Sequence, residues 1–239
     1  MLKFTKKLLR KKAGSCSVVI VAAGSSNRMN GTDKILYNLG GDPVIVHSIR
    51  AFDQHIRIRE IIVVTREDLI GKVDELCKQN HFDKVSAVVA GGNNRVESVM
   101  KGLDFVSDNT EIVAIHDGAR PFVSSAIISD TIEKAMDYHA AAPAVAVKDT
   151  IKTAKNNLVT GTPDRSTLFA VQTPQVFDFD LLRGALVKAM EVKLPITDDC
   201  SAVEALGMSV YLTSGSDENI KITTPTDLIL AQAIWEGRT

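Results

Sequence analysis

Apolar positions along the chain follow two alternating patterns. Short uninterrupted runs, mostly β-branched, stand at Val18–Val21, Ile61–Thr65, Val85–Ala90 and Ile112–His116. Such runs suit strands buried on both faces of a parallel sheet. Between them, apolar residues at helical spacing predict helices from Pro43 to about Gln54, Glu67 to about Gln79, Arg95 to about Phe105 and Ser125 to about Ala141. Asp42 and Pro43 read as the cap and first residue of the first helix. Four alternations of strand and helix predict an α/β fold, a doubly wound, mostly parallel sheet with right-handed crossovers.

The rhythm then changes. From Ala144 to Phe177 the chain reads VAVKDTIKT, LVTGTPDR and LFAVQTPQVF, with turn residues at Asn156-Asn157 and between Gly161 and Asp164. This predicts an antiparallel β-hairpin arm over about 144–173. Two strands alone are marginally stable, so the arm needs another surface, and a dimer partner is one candidate. Helices are expected near Asp180–Val192, near Asp199–Leu206 and from Thr224-Pro225 to about Trp235, with a strand at Val210–Leu212.

In such sheets ligands sit beyond the carboxyl ends of the strands. Three polar loops fall there: Ala22-Ala23-Gly24 with the stretch to Lys34, Gly91 to Ser98, and Asp117 to Pro121. The small residues give a ligand access to backbone N–H groups. Arg28 and Lys34 add charge. The first loop lacks the later glycines of a dinucleotide fingerprint and the G-K-[ST] of a P-loop. Arg28, Lys34, Asp117, Arg120, Thr150, Arg165, Thr173 and Lys221 all adjoin a strand end or turn. Cations in such places suit phosphoryl or nucleotidyl transfer, where catalysis is mostly positioning and stabilisation of negative charge. Serine or cysteine nucleophilic catalysis finds no supporting motif.

Composition narrows the classes. The chain has 239 residues, 45% of them hydrophobic, and a formal net charge of −1. Six of its 28 basic residues lie within residues 1–12, which contain no acid, so the rest sets 22 cations against 29 acids. An acidic body argues against a nucleic-acid partner. Residues 1–16 read as a basic leader and 17–239 as a single domain. Cys16, Cys77 and Cys200 have no disulfide or metal spacing and fit a reducing cytoplasm. No run is long enough for a membrane span.

The segments AAGSS-N-RM, a lysine shortly after it, GGNNRVESV, HDGARPF, VKDTIK, TPDR, QTPQVF, ITDDCSAVE and NIKITTPTDL occur in that order. Together they resemble the 2-C-methyl-D-erythritol 4-phosphate cytidylyltransferases, from about Ser17 to the C-terminus. The resemblance implies CMP transfer from CTP to methylerythritol phosphate, with Mg2+ held mainly by the triphosphate and no certain protein ligand. It implies that Arg28 and Lys34 stabilise the transition state and that Arg165 and Lys221 hold the attacking phosphate. Ala22, Ala23, Gly24, Gly92, Ser98 and Gly118 match nucleotide positions; Asp117, Arg120, Thr150, Arg165, Thr173 and Lys221 match the sugar-phosphate side. It also implies a homodimer with arm exchange, Thr150 and Arg165 arriving from the partner. Ribitol 5-phosphate is the rival acceptor, and a non-catalytic nucleotide-binding protein the rival class. Members often carry Pro-Lys-Gln where Asp33-Lys34-Ile35 stands and an acid where Asn93 stands. An acid at position 33 is placed to pair with Lys34 and weaken its pull.

Overall fold

The computed structural model describes residues 16–24 and 33–238. Arg28 and most of the basic leader lie outside them, while Cys16, the last residue read as leader, already begins the first strand. In chain order the elements are β1 (Cys16–Ala22), β2 (Asn38–Leu39), β3 (Asp42–Pro43), α1 (Val44–Asp53), β4 (Ile58–Thr65), α2 (Ile70–Gln79), β5 (Val85–Ala90), α3 (Arg95–Leu103), β6 (Ile112–Asp117) and α4 (Ser125–Tyr138). Then come β7 (Ala140–Ala146), β8 (Thr153–Lys155), β9 (Leu158–Gly161), β10 (Phe169–Val171), β11 (Gln175–Asp178), α5 (Phe179–Glu191), α6 (Asp199–Glu204), β12 (Tyr211–Ser214) and α7 (Pro225–Arg238).

Strands β5, β4, β1 and β6 pair in parallel, in that order. Alternation along β1 divides the core. Val18, Ile20 and Ala22 face α1, α2 and α4, and Val19 faces α3 and α5. This two-sided burial is why those strands read as unbroken apolar runs. The chain passes from β1 outward to β4 and β5, then returns to place β6 on the other flank of β1. The crevice between the carboxyl ends of β1 and β6 is therefore the topological switch point, where open α/β sheets receive their ligands.

Beyond β6 the sheet becomes mixed, and two expectations are corrected. The helix predicted to Ala141 stops at Tyr138, because His139 takes a left-handed conformation (φ 67°) that ends it. Ala140 and Ala141 instead open β7, fully buried and paired antiparallel with Phe177 and Val176 of β11. The opposite flank of β7 takes β12 in parallel. The predicted arm is also shorter. Ala144–Ala146 and β10 pair within the main sheet, and the excursion proper is the β8–β9 pair. Asn156 and Asn157, both at positive φ (51° and 64°), turn it, as a two-residue hairpin loop requires. Asp42 does not cap α1; its carboxylate reaches Arg50, about two turns along, at 2.8 Å.

His116, the penultimate residue of β6, is fully buried against Phe52. Its Nε2 lies 3.2 Å from the Arg120 carbonyl, which only accepts, so Nε2 carries the proton. Burial lowers its pKa to about 3 and the ring is neutral. In the unfolded chain the same ring binds a proton below about pH 6.5. Stability is therefore intact above about pH 6.5 and falls as pH drops toward 3. At pH 5 the loss from this residue is expected to be about 2 kcal/mol relative to pH 7. Urea unfolding at the two pH values should show His116→Gln less acid-sensitive by that amount; equal sensitivity would mean that the ring titrates normally.

Candidate active site

A cleft of about 320 Å³ opens at the switch point, lined by Ala22, Ala23, Gly24, Lys34, Gly92, Asn93, Asn94, Arg95, Ser98, Asp117, Ala119 and Lys221. Its floor is backbone. Among the described residues, a Cβ at Gly24 would meet nothing within 4 Å. Beneath it small residues face each other where a larger side chain would clash. A Cβ on Gly91 would stand 2.4 Å from the Ala23 Cβ, and one on Gly118 2.9 Å from the Ala22 Cβ and 2.8 Å from Ile45 Cδ1. Gly118 thus supports the floor from below and does not line the cleft.

One wall is the loop before α3, held by its own side chains. Ser98 Oγ accepts the Gly92 N–H at 3.0 Å and donates to the Asn94 carbonyl at 2.8 Å. Glu97 accepts the Asn93 backbone N–H and amide at 2.9 and 3.0 Å and the Asn94 amide at 2.7 Å. Asn93 is a donor to Glu97, a contact that a carboxylate at position 93 would turn into repulsion. Asn94 caps α3 by accepting the Glu97 N–H. That cap turns Arg95, the first helical residue, into the cleft.

Lys34 is set on the opposite side by its neighbour. Ile35 is buried, and its carbonyl accepts the Ile45 N–H at 2.9 Å, tying the segment to the start of α1. The carboxylate of Asp33 pairs with Arg66 at 2.8 Å, and its other oxygen accepts the Ile35 N–H. The acid expected to weigh on Lys34 is therefore engaged by a second cation.

Asp117, at the end of β6, is the electrostatic centre. Arg95 Nη1 contacts its Oδ1 at 2.8 Å, and Lys221 Nζ and Arg120 Nε contact Oδ2 at 2.9 and 3.4 Å. Burial alone would raise its pKa, but Arg95, Lys221 and Arg120 outweigh burial and hold it well below the usual carboxylate range. The Asp117 N–H donates to Thr173 Oγ1, which in turn donates to the unprotonated Nδ1 of His116, each at 3.1 Å. Thr173 is thus a brace behind the strand end. Arg120 is a second brace, donating to the Asn219 carbonyl at 2.6 Å.

The predicted residues therefore divide. Ala22, Ala23, Gly24, Lys34, Gly92, Ser98, Asp117 and Lys221 come together at the cleft. Gly118, Arg120 and Thr173 stand behind it. Thr150 and Arg165 lie exposed on the segment around the arm, where Arg165 Nη1 donates to the Lys148 carbonyl at 2.8 Å. Sequence reasoning assigned no role to Arg95 or Asp199. Both lie within segments singled out for the resemblance, GGNNRVESV and ITDDCSAVE, but nothing in the sequence brings together two residues 104 positions apart. Arg95 Nη2 donates to Asp199 Oδ2 at 2.7 Å. Burial works against the Arg95 charge, yet Asp199 and Asp117 raise its pKa above the ordinary arginine value.

Among the described residues no three His, Cys, Asp or Glu side chains gather as a metal site. Asp117, the acid that lines the cleft, is saturated by its three cations. No helix among the described residues is long and apolar enough to cross a membrane.

Residues 16–237 match the family model described as 2-C-methyl-D-erythritol 4-phosphate cytidylyltransferase. Enzymes of that name from Clostridium novyi and Caldanaerobacter subterraneus are 45% and 47% identical, covering 93% and 90% of this chain and 97% and 96% of theirs. The crystal structure of the 4-diphosphocytidyl-2C-methyl-D-erythritol synthase from Anaerococcus prevotii superposes with a TM-score of 0.86 at 29% identity, over 95% of this chain and 99% of that one. The cytidylyltransferase from Thermus thermophilus gives 0.77 at 31%, over 93% and 99%.

Proposed function

The chain belongs to the 2-C-methyl-D-erythritol 4-phosphate cytidylyltransferase family, and on that premise we propose the division of labour by which it works. It transfers CMP from CTP to 2-C-methyl-D-erythritol 4-phosphate, giving 4-diphosphocytidyl-2-C-methyl-D-erythritol and pyrophosphate, a step in isoprenoid precursor synthesis. The observation that carries the residue roles is the meeting of a backbone-lined floor, Ala22–Gly24 with Gly92, and the cations Lys34, Arg95 and Lys221 at one switch-point cleft.

A phosphate oxygen of the acceptor forms a bond to the α-phosphorus of CTP, and the bond from that phosphorus to the bridging oxygen breaks as pyrophosphate leaves. A phosphate monoester with a second pKa near 6 is largely dianionic at neutral pH, so no general base is required. The site agrees with this: His116 is neutral, buried and fully hydrogen-bonded, and Asp117 is ionised but occupied by cations. What two approaching anions need is positive charge. Arg28 and Lys34 stabilise charge on the transferring phosphoryl group. Lys221 and Arg165 hold the attacking phosphate, with Asp117, Arg120 and Thr173 fixing Lys221 in place. Ser98 serves the nucleotide indirectly, by holding Gly92. A divalent cation, which the resemblance implies, finds no ligand set among the described side chains of the cleft and would enter on the triphosphate, where it would offset negative charge.

Residues 17–239 act as one domain, and the arm completes the site of a second copy. The support is that Thr150 and Arg165 stand away from the cleft of their own chain, and that the β8–β9 pair leaves Leu158 and Val159 73% and 62% exposed. A lone hairpin with such a face needs a cover. Three free, buried cysteines suit a cytoplasmic location. The methylerythritol names of the family and relatives do not favour ribitol 5-phosphate as acceptor. A pyrophosphate-release assay tests the whole reading. Release is expected with CTP and methylerythritol phosphate, and release only with ribitol 5-phosphate would sink it. In the same assay, inactive Arg28→Ala mixed with Arg165→Ala should regain part of the activity; no regain would mean each site is built within one chain.

A further inference from the structure

The segment ITDDCSAVE has no part in the transfer as derived above, yet it delivers a buried carboxylate to the cleft wall. Asp198 caps α6, accepting the Ser201 N–H at 3.0 Å, and its other oxygen accepts Gln175 Nε2 at 2.8 Å. The Gln175 side-chain oxygen accepts the Cys200 N–H at 3.0 Å. These bonds pin the start of α6 to β11. Asp199, 1% exposed, is thereby aimed across at α3, where it meets Arg95.

Arg95 uses one terminal nitrogen for Asp199 and the other for Asp117. A planar guanidinium held at both ends cannot turn, so its remaining N–H groups keep a fixed direction. Its Nε is buried and has no hydrogen-bond partner among the described residues. Were Asp199 absent, Arg95 would be free to take both oxygens of Asp117 in the paired geometry that guanidinium and carboxylate prefer. Lys221 and Arg120, which now share Oδ2, would be displaced.

We propose that Asp199 is a positioning residue for CMP transfer: by engaging one nitrogen of Arg95 it holds the guanidinium on the nucleotide wall, its remaining terminal N–H groups presented to acceptor atoms of bound CTP, and reserves the second oxygen of Asp117 for Lys221. This rests on the reading of the cleft as the CTP site. Neutralising Asp199 loosens a charge-assisted contact at the nucleotide wall, so Asp199→Asn is expected to raise the KM for CTP about tenfold, with kcat falling by no more than about threefold.

Ser124→Ala is the control, since Ser124 caps α4 on the other face of the sheet and touches neither Arg95 nor α6; it should lower the melting temperature and leave the KM for CTP unchanged. A KM for Asp199→Asn within about twofold of wild type, or an equal rise in Ser124→Ala, overturns the proposal. If Asp199→Asn does not fold, Arg95→Lys replaces it, because one ammonium cannot grip two carboxylates as the fork does. An unchanged KM there overturns the proposal equally. Calorimetry with CTP separates the two levels. No binding to the wild type defeats the cleft as CTP site, whereas equal affinity for wild type and Asp199→Asn defeats only the positioning role.

Discussion

Arg28→Ala is expected to lower kcat by about 100-fold or more, with a smaller change in the KM for CTP. Arg28 lies outside the described residues, but both ends of its loop are anchored at the cleft. Gly24 lines it on one side and Lys34 on the other. The transferring phosphoryl group gathers negative charge on its equatorial oxygens, and a preorganised donor there acts more strongly on the transition state than on bound CTP. Removing one such donor costs about 2.7–4 kcal/mol of transition-state stabilisation. The loss therefore falls on kcat. Pyrophosphate release at saturating CTP and acceptor measures it, and an unchanged kcat would remove Arg28 from the mechanism.

The second large effect concerns stability as well as activity. Asp117→Ala is expected to cost about 3–5 kcal/mol of folding free energy, because it strands cations that a buried carboxylate now compensates. Arg95 would keep Asp199, but Arg120, mostly buried, and Lys221 would lose the charge they share. For a chain of this size that corresponds to a fall of about 10 °C in Tm. Acceptor binding should fail too, since Lys221 loses its anchor. Urea unfolding at pH 7 gives the number. A loss below about 1 kcal/mol would show that water already screens the cluster as it does a surface pair.

Much of this site is legible without coordinates. Val18–Val21 and Ile112–His116 announce β1 and β6 because strands buried on both faces carry no polar interruptions. The loops after them must then share one edge of the sheet. What stayed hidden has a common cause. The alanine run that opens β7 has neither alternation nor a turn before it, so it continues the helical pattern of α4; only pairing with β11 and β12 makes it a strand. Gly118 and Gly92 look alike as glycines, yet one stands behind the cleft and the other lines it, and the difference is which neighbour crowds the Cβ position: Ala22 and Ile45 of the core at Gly118, Glu97 of the loop itself at Gly92.

The sequence by itself determined the alternating α/β plan, the edge at which the polar loops gather, and the chemistry of that edge, backbone access beside Lys34 and Lys221. Those properties are local, set by periodicity over a few residues and by side-chain type. Only the tertiary structure decided that Asp117 gathers Arg95, Arg120 and Lys221, that Asp199 shares Arg95 across 104 positions, and that Asp33 is engaged by Arg66. Charge pairing acts over a few ångströms of space regardless of separation along the chain, so a residue's partner is settled by the fold that brings it near.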